Sequence, residues 1–138
     1  MKRASTTPLK LAQALHALAR DLPNPADEST DFFHSFVAPL SPDIKLDGAA
    51  FQRALKIGGR YKVDLSSADA LLAGAGNPDN WGDDAEGFRL LEKVMRATLS
   101  ELSVAFARAN GVVRVRMWLF GRSDDGSLVG LRSIVTET

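Results

Sequence analysis

Cysteine is absent from this 138-residue chain, which removes disulfides, thiolate metal ligands and thiol nucleophiles from consideration. Histidine is nearly absent: only His16 and His34 occur, with no HExxH and no second histidine at metal-ligand spacing. Neither sign of charge is in excess, since 17 basic residues face 17 acidic ones. A chain held to nucleic acid through phosphate contacts usually carries a basic surplus, and a mimic of DNA an acidic one. Recognition of a partner must therefore use local patches, and direct nucleic-acid binding is not expected. Long apolar runs are missing too, so no segment is expected to span a bilayer. In the opening MKRASTTPLKLAQALHALAR, Lys10, Gln13 and His16 interrupt the stretch that an export signal needs. The expected location is cytoplasmic. No GxSxG elbow, P-loop or GxGxxG is present, and GAGN at 74–77 follows no predicted strand, so its glycines read as turn residues.

What is present reads as one domain over residues 1–138. The chain is long enough for a sizeable core, and 45% hydrophobic with 25% charged residues is ordinary for a globular protein. Thr7-Pro8 predicts an N-cap followed by proline in the first turn, and Leu11, Leu15, Leu18 and Leu22 recur at helical spacing, giving a helix over about 8–21. In DFFHSFVAP, Phe32, His34 and Phe36 share one strand face, and Phe33, Ser35 and Val37 the other. Two short strands are expected around 51–57 and 60–64, with Gly58-Gly59 as a hairpin turn. A short helix follows from Ser66 or Ser67 to Ala73, then AGAGNPDNWGDD reads as a loop.

Asp83 with Glu86 resembles a capping box, opening a helix that runs to Asn110-Gly111. Its apolar face would be Phe88, Leu91, Met95, Thr98, Leu102 and Ala105, widened by Val94, Leu99 and Phe106. Along VVRVRMWLF, Val113, Val115, Met117 and Leu119 alternate with Arg114, Arg116, Trp118 and Phe120. GRSDDG then turns the chain, and SLVGLRSIVTET returns as a strand that continues almost to the last residue. This order of elements predicts an α+β layered domain with a mainly antiparallel sheet.

Chemistry is thinly represented. His16 and His34 read as structural or surface residues. Asp27, Glu28 and Asp31 in one loop, and Asp79, Asp83, Asp84 and Glu86 in another, could do acid–base work. Loop polarity and the preference of acids for helix N-termini account for them better, so no catalytic residue is assigned. Arg114 and Arg116 read as a solvated face, or with Trp118 as an amphipathic binding patch. Trp81, between Asn80 and Gly82, either folds onto the core or projects as an anchor for a partner.

The final stretch, VRMWLFGRSDDGSLVGLRSIVTET, resembles the ending of the nuclease A inhibitor family. There a strand reaches a glycine, a short turn leads to G-[NS]-L-x-G, and the last strand stops at E-T. The matching residues are Gly121, Gly126-Ser127-Leu128, Gly130 and Glu137-Thr138. Asn80-Trp81 with Asp83-Asp84 is also similar, and YKVDL at 61–65 and DESTDFFHSF at 27–36 match more weakly. At Thr30-Asp31 the chain departs from a typically more acidic, tyrosine-bearing stretch.

The resemblance implies a three-layer α-β-α sandwich with a mainly antiparallel sheet, of the pathogenesis-related-protein-like type. It implies a protein inhibitor of a sugar-nonspecific, magnesium-dependent DNA/RNA nuclease, with no cofactor of its own. Glu28 and Thr138 match the positions that this family presents to the nuclease's magnesium; Trp81 and Glu137 would join them at the interface. Magnesium is a hard cation that takes oxygen donors, and a hydroxyl and carboxylates held by a strand lose less entropy on docking than a loose tail would. The alternative is a non-catalytic protein-binding module of the same fold, with a different partner met through Trp81 and the acidic loops.

Overall fold

The computed structural model describes residues 7–25 and 32–136. Helix α1 (Pro8–Ala19) starts as predicted, with the Thr7 hydroxyl oxygen accepting from the Lys10 amide at 3.3 Å and proline in the first turn. Then come β1 (His34–Ala38), α2 (Gly48–Ala54), β2 (Lys62–Ser67), α3 (Asp69–Ala75) and α4 (Pro78–Trp81). The chain continues through α5 (Asp84–Thr98), β3 (Ser100–Arg108), β4 (Arg114–Arg122) and β5 (Leu128–Thr136). The five strands pair antiparallel throughout in the order β1-β5-β4-β3-β2. The predicted α+β class with an antiparallel sheet is what the chain forms.

Alternation along β4 feeds apolar groups to both faces of this sheet. Val115, Met117 and Leu119 join Val104, Val129 and Leu131 under Leu11 and Leu15 of α1, Leu72 of α3, and Phe88, Leu91 and Met95 of α5. Trp118 and Phe120 join Ala105, Ala107 and Leu128 on the opposite face, against Phe51 of α2 and Ile57. The Phe51 ring lies 5.2 Å from Trp118 and 4.9 Å from Phe120, centroid to centroid. Burying each such side chain stabilises the fold by roughly 1.5–3 kcal/mol, so both faces contribute.

Several expectations fail for identifiable reasons. The strand expected at 51–57 is instead the end of α2 and the turn after it. Asp47 caps that helix, its Oδ1 accepting from Ala50 N at 2.8 Å, and Ala49, Ala50 and Ala54 are good helix formers. No hairpin forms at Gly58-Gly59; the Gln52 amide donates across this segment to the carbonyls of Gly58 and Tyr61 at 3.1 and 3.3 Å.

The helix expected to reach Asn110-Gly111 stops at Thr98, and residues 100–108 form β3. An irregularity between Ser100 and Ser103, with Glu101 at φ +52°, breaks the alternation there, so Leu99 and Leu102 mimic helical spacing. Beyond it, Val104 and Phe106 face one core while Ala105 and Ala107 face the other.

The capping box at Asp83 and Glu86 is not made. Asp83 already has helical torsions and makes no side-chain cap bond, because the chain enters α5 from a tight turn at Gly82. The segment expected to be a loop at 73–84 includes the single helical turn α4, capped by Asn77, whose Oδ1 accepts from Asp79 N at 3.0 Å.

Candidate functional site

Of the four residues singled out for partner binding, Glu28, Glu137 and Thr138 lie outside the described residues. The fourth, Trp81, ends α4 half-buried, and its ring meets Phe88 edge-on with centroids 5.7 Å apart at 69°. The Asn80 side chain donates to Gly74 O at 3.2 Å, so this turn is held against α3. Part of the indole is committed to the core and part reaches the surface. Farther along the chain, β5 keeps its pairing with β4 up to the Arg114–Thr136 rung, so Glu137 and Thr138 follow directly from a paired strand.

The clearest concentration of chemistry lies on the sheet face that carries Trp118. Register places Arg132 directly across from both Trp118 on β4 and His34 on β1, and Ile134 across from Arg116. Arg116, Arg132, His34 and Ile134 line a groove of about 80 Å³ to which α2 contributes nothing. The guanidinium of Arg116 stacks on Trp118, 4.9 Å from the ring centroid, and Trp118 itself is only 1% exposed. Arg132 is exposed. Among the described residues neither guanidinium has a carboxylate partner.

Further cations gather near the turn between β3 and β4. Arg60, Lys62 and Arg108 border an open cleft with Asn110 and Gly111. Arg60 stacks on Tyr61 at 4.9 Å and Arg108 on Phe106 at 5.0 Å. Arg108 is partly neutralised by Asp64, 3.2 Å away.

Other polar groups serve the fold. Arg122, 6% exposed, donates to the carbonyls of Ile44 and Ser41 at 2.8 Å each and of Gly126 at 3.2 Å, tying the segment before α2 to the β4–β5 turn. Asp69 is held below the ordinary carboxylate range by its hydrogen bond from Arg96 and then by Ser67, which links α3 to α5 on an exposed surface. In the β4–β5 turn, Asp125 accepts from the Ser123 hydroxyl and the Ser127 amide, and the same bonds pull its carboxyl down. His16 and His34 stack with centroids 6.5 Å apart, and His16 Nδ1 is buried without a hydrogen-bond partner. Among the described residues no group of three or more histidines and carboxylates could hold a metal ion, and no helix is long and apolar enough to cross a membrane.

The sequence pointed to Arg116 and Trp118 but not to Arg132 or to His34 beside them. The signal was available: counting back from the GRSDDG turn, the hairpin register brings Arg132 against Trp118. Fold and surface together define an α+β protein built on one antiparallel sheet, with a cationic groove on the face that packs against α2. No protein-family model matches the chain, and no curated protein matches it.

Proposed function

We propose that this chain inhibits a sugar-nonspecific, magnesium-dependent DNA/RNA nuclease by occluding its active site, without catalysis of its own. The observation that carries the reading is β5, paired with β4 up to Thr136, so that Glu137 and Thr138 leave an ordered strand. Glu28, Glu137 and Thr138 carry the hard oxygens that magnesium takes, and the last two follow in sequence from that strand. The exposed part of Trp81 supplies an anchor of the type enriched in interface hot spots. The same proposal includes the finer fold: a three-layer α-β-α sandwich of the pathogenesis-related-protein-like type, supported by helices packed against both sheet faces.

Mixing the protein with a nonspecific nuclease and following DNA and RNA cleavage tests this directly. Inhibition of both substrates near equimolar ratio is expected, with Glu28→Gln and Thr138→Ala each weakening it roughly tenfold. Undiminished cleavage at severalfold excess of the protein would sink the proposal.

A second reading, a non-catalytic binding module of the same fold with another partner, is favoured by the cationic groove. A nuclease's substrate cleft is itself cationic, and like charges across an interface are disfavoured.

A further inference from the structure

We infer that the groove between Arg116, Arg132 and His34 is a docking site for an acidic protein segment, with an aspartate or glutamate side chain seated between the two guanidinium groups. The inference is independent of nuclease inhibition. Arg116 and Arg132 occupy the same sheet face on adjacent strands, offset by one pair: Arg116 opposes Ile134, and Arg132 opposes Trp118. Such diagonal neighbours stand roughly 7–8 Å apart, close enough for two long side chains to grip one anion. Two cations brought together cost energy where, as among the described residues, no carboxylate lies between them, and a bound anion reverses the sign of that cost.

Stacking fixes the chemistry further. The Arg116 guanidinium is held over Trp118, 4.9 Å from the ring centroid, and its planar fork of N–H groups is the shape that a carboxylate meets bidentately. His34, across from Arg132 on the edge strand, adds a ring nitrogen to the lining. Half-exposed Ile134 offers an apolar contact for the methylene groups of a glutamate.

Single-stranded nucleic acid is the less favoured occupant. Sequence-tolerant binding of bases needs an open aromatic platform, and Trp118 is closed off at 1% exposure beneath Arg116. The volume of about 80 Å³ also suits one carboxylate rather than a base.

The experiment is a titration of the full-length ¹⁵N-labelled protein with an octaglutamate peptide at low salt. Octaglutamine and an oligothymidylate of similar length run as comparators. Expected are saturable shifts at the Arg116, Trp118, Arg132 and Ile134 amides and the Trp118 indole, with no response to octaglutamine. The variant Arg116→Gln/Arg132→Gln should lose affinity by about tenfold or more. Arg108→Gln, outside the groove, should bind as the parent does, and amide spectra of both variants report that the fold is kept. Absence of saturable binding at ~1 mM peptide, about −4 kcal/mol at best, overturns the inference. So do shifts centred on Arg60, Lys62 and Arg108, unchanged affinity in the double variant, or oligothymidylate binding at least as tightly as octaglutamate.

Discussion

Gly130 shows how much one missing side chain can decide. It lies in a row with Phe36 on one neighbouring strand and Phe120 on the other, and those two rings meet above it at 6.2 Å, edge to face. A Cβ at this position would stand 2.6 Å from Phe120 Cα and also run into the Leu119 carbonyl. Gly130→Ala should therefore destabilise the protein by about 3 kcal/mol, near the upper end for overpacking, read from urea midpoints at unchanged m-value. Gly126 has a different reason: its φ is +92° in the hairpin turn, and a Cβ there would stand 2.5 Å from Leu40 O. The turn's Asp125 adds a pH signature. Its carboxyl is depressed in the fold, so its contribution is complete above the ordinary aspartate value of about 3.9 and fades as pH falls through the lower folded value. The Tm gap between the parent and Asp125→Ala should accordingly be constant near neutrality and narrow below about pH 4. Gly126 was legible in the sequence as the end of the GRSDDG turn, a local demand, whereas the notch at Gly130 depends on residues of the neighbouring strands and was not. The partner residues Glu28, Glu137 and Thr138 were legible only through the resemblance, and they lie outside the described residues.

Elements were legible where one periodicity ruled. Helix α1 and strand β4 each carry a single unbroken pattern, and both form with the faces that pattern assigns. Helix α2 was hidden because its seven residues are too few to show a helical repeat, leaving Asp47 as its only strong signal. Asp47→Ala should lower stability by about 1 kcal/mol, seen as a fall in Tm, because Ala50 N loses its acceptor. Strand β3 was hidden by its own irregularity at Glu101, which shifts the apolar spacing from two to three just where the helix before it ends. The loss of that helix's second half is a case of tertiary pairing overriding local pattern: β3 has partners on both sides, β2 and β4.

On the scale of the whole molecule, the sheet order puts the three longest strands, β3, β4 and β5, in the middle and the two shorter ones at the edges. Native-state hydrogen exchange should be slowest at Met117–Phe120 of β4, where consecutive side chains on both faces are buried, and fastest among the strands at the five-residue edge strand β1. Equal protection of β1 and β4 would argue against this layout. Charge is distributed on the same scale. The molecule is neutral as a whole, yet stacked arginines gather around the β3–β4 turn, an asymmetry that total composition conceals. Salt should therefore weaken any docking in the Arg116–Arg132 groove while leaving Tm nearly unchanged, since exposed charges contribute little to stability.

The doubly apolar character of β4 creates an alignment problem. Slipping it by one residue against β5 would trade Val115, Met117 and Leu119 for Trp118 and Phe120, oil for oil, so hydrophobicity alone barely objects. The notch at Gly130 does object, because a displaced Phe120 would face Val129 or Leu131 instead of an empty site. Proofreading of the sheet thus depends on an absence, and a variant that fills the notch should admit misaligned hairpins as well as a weaker fold.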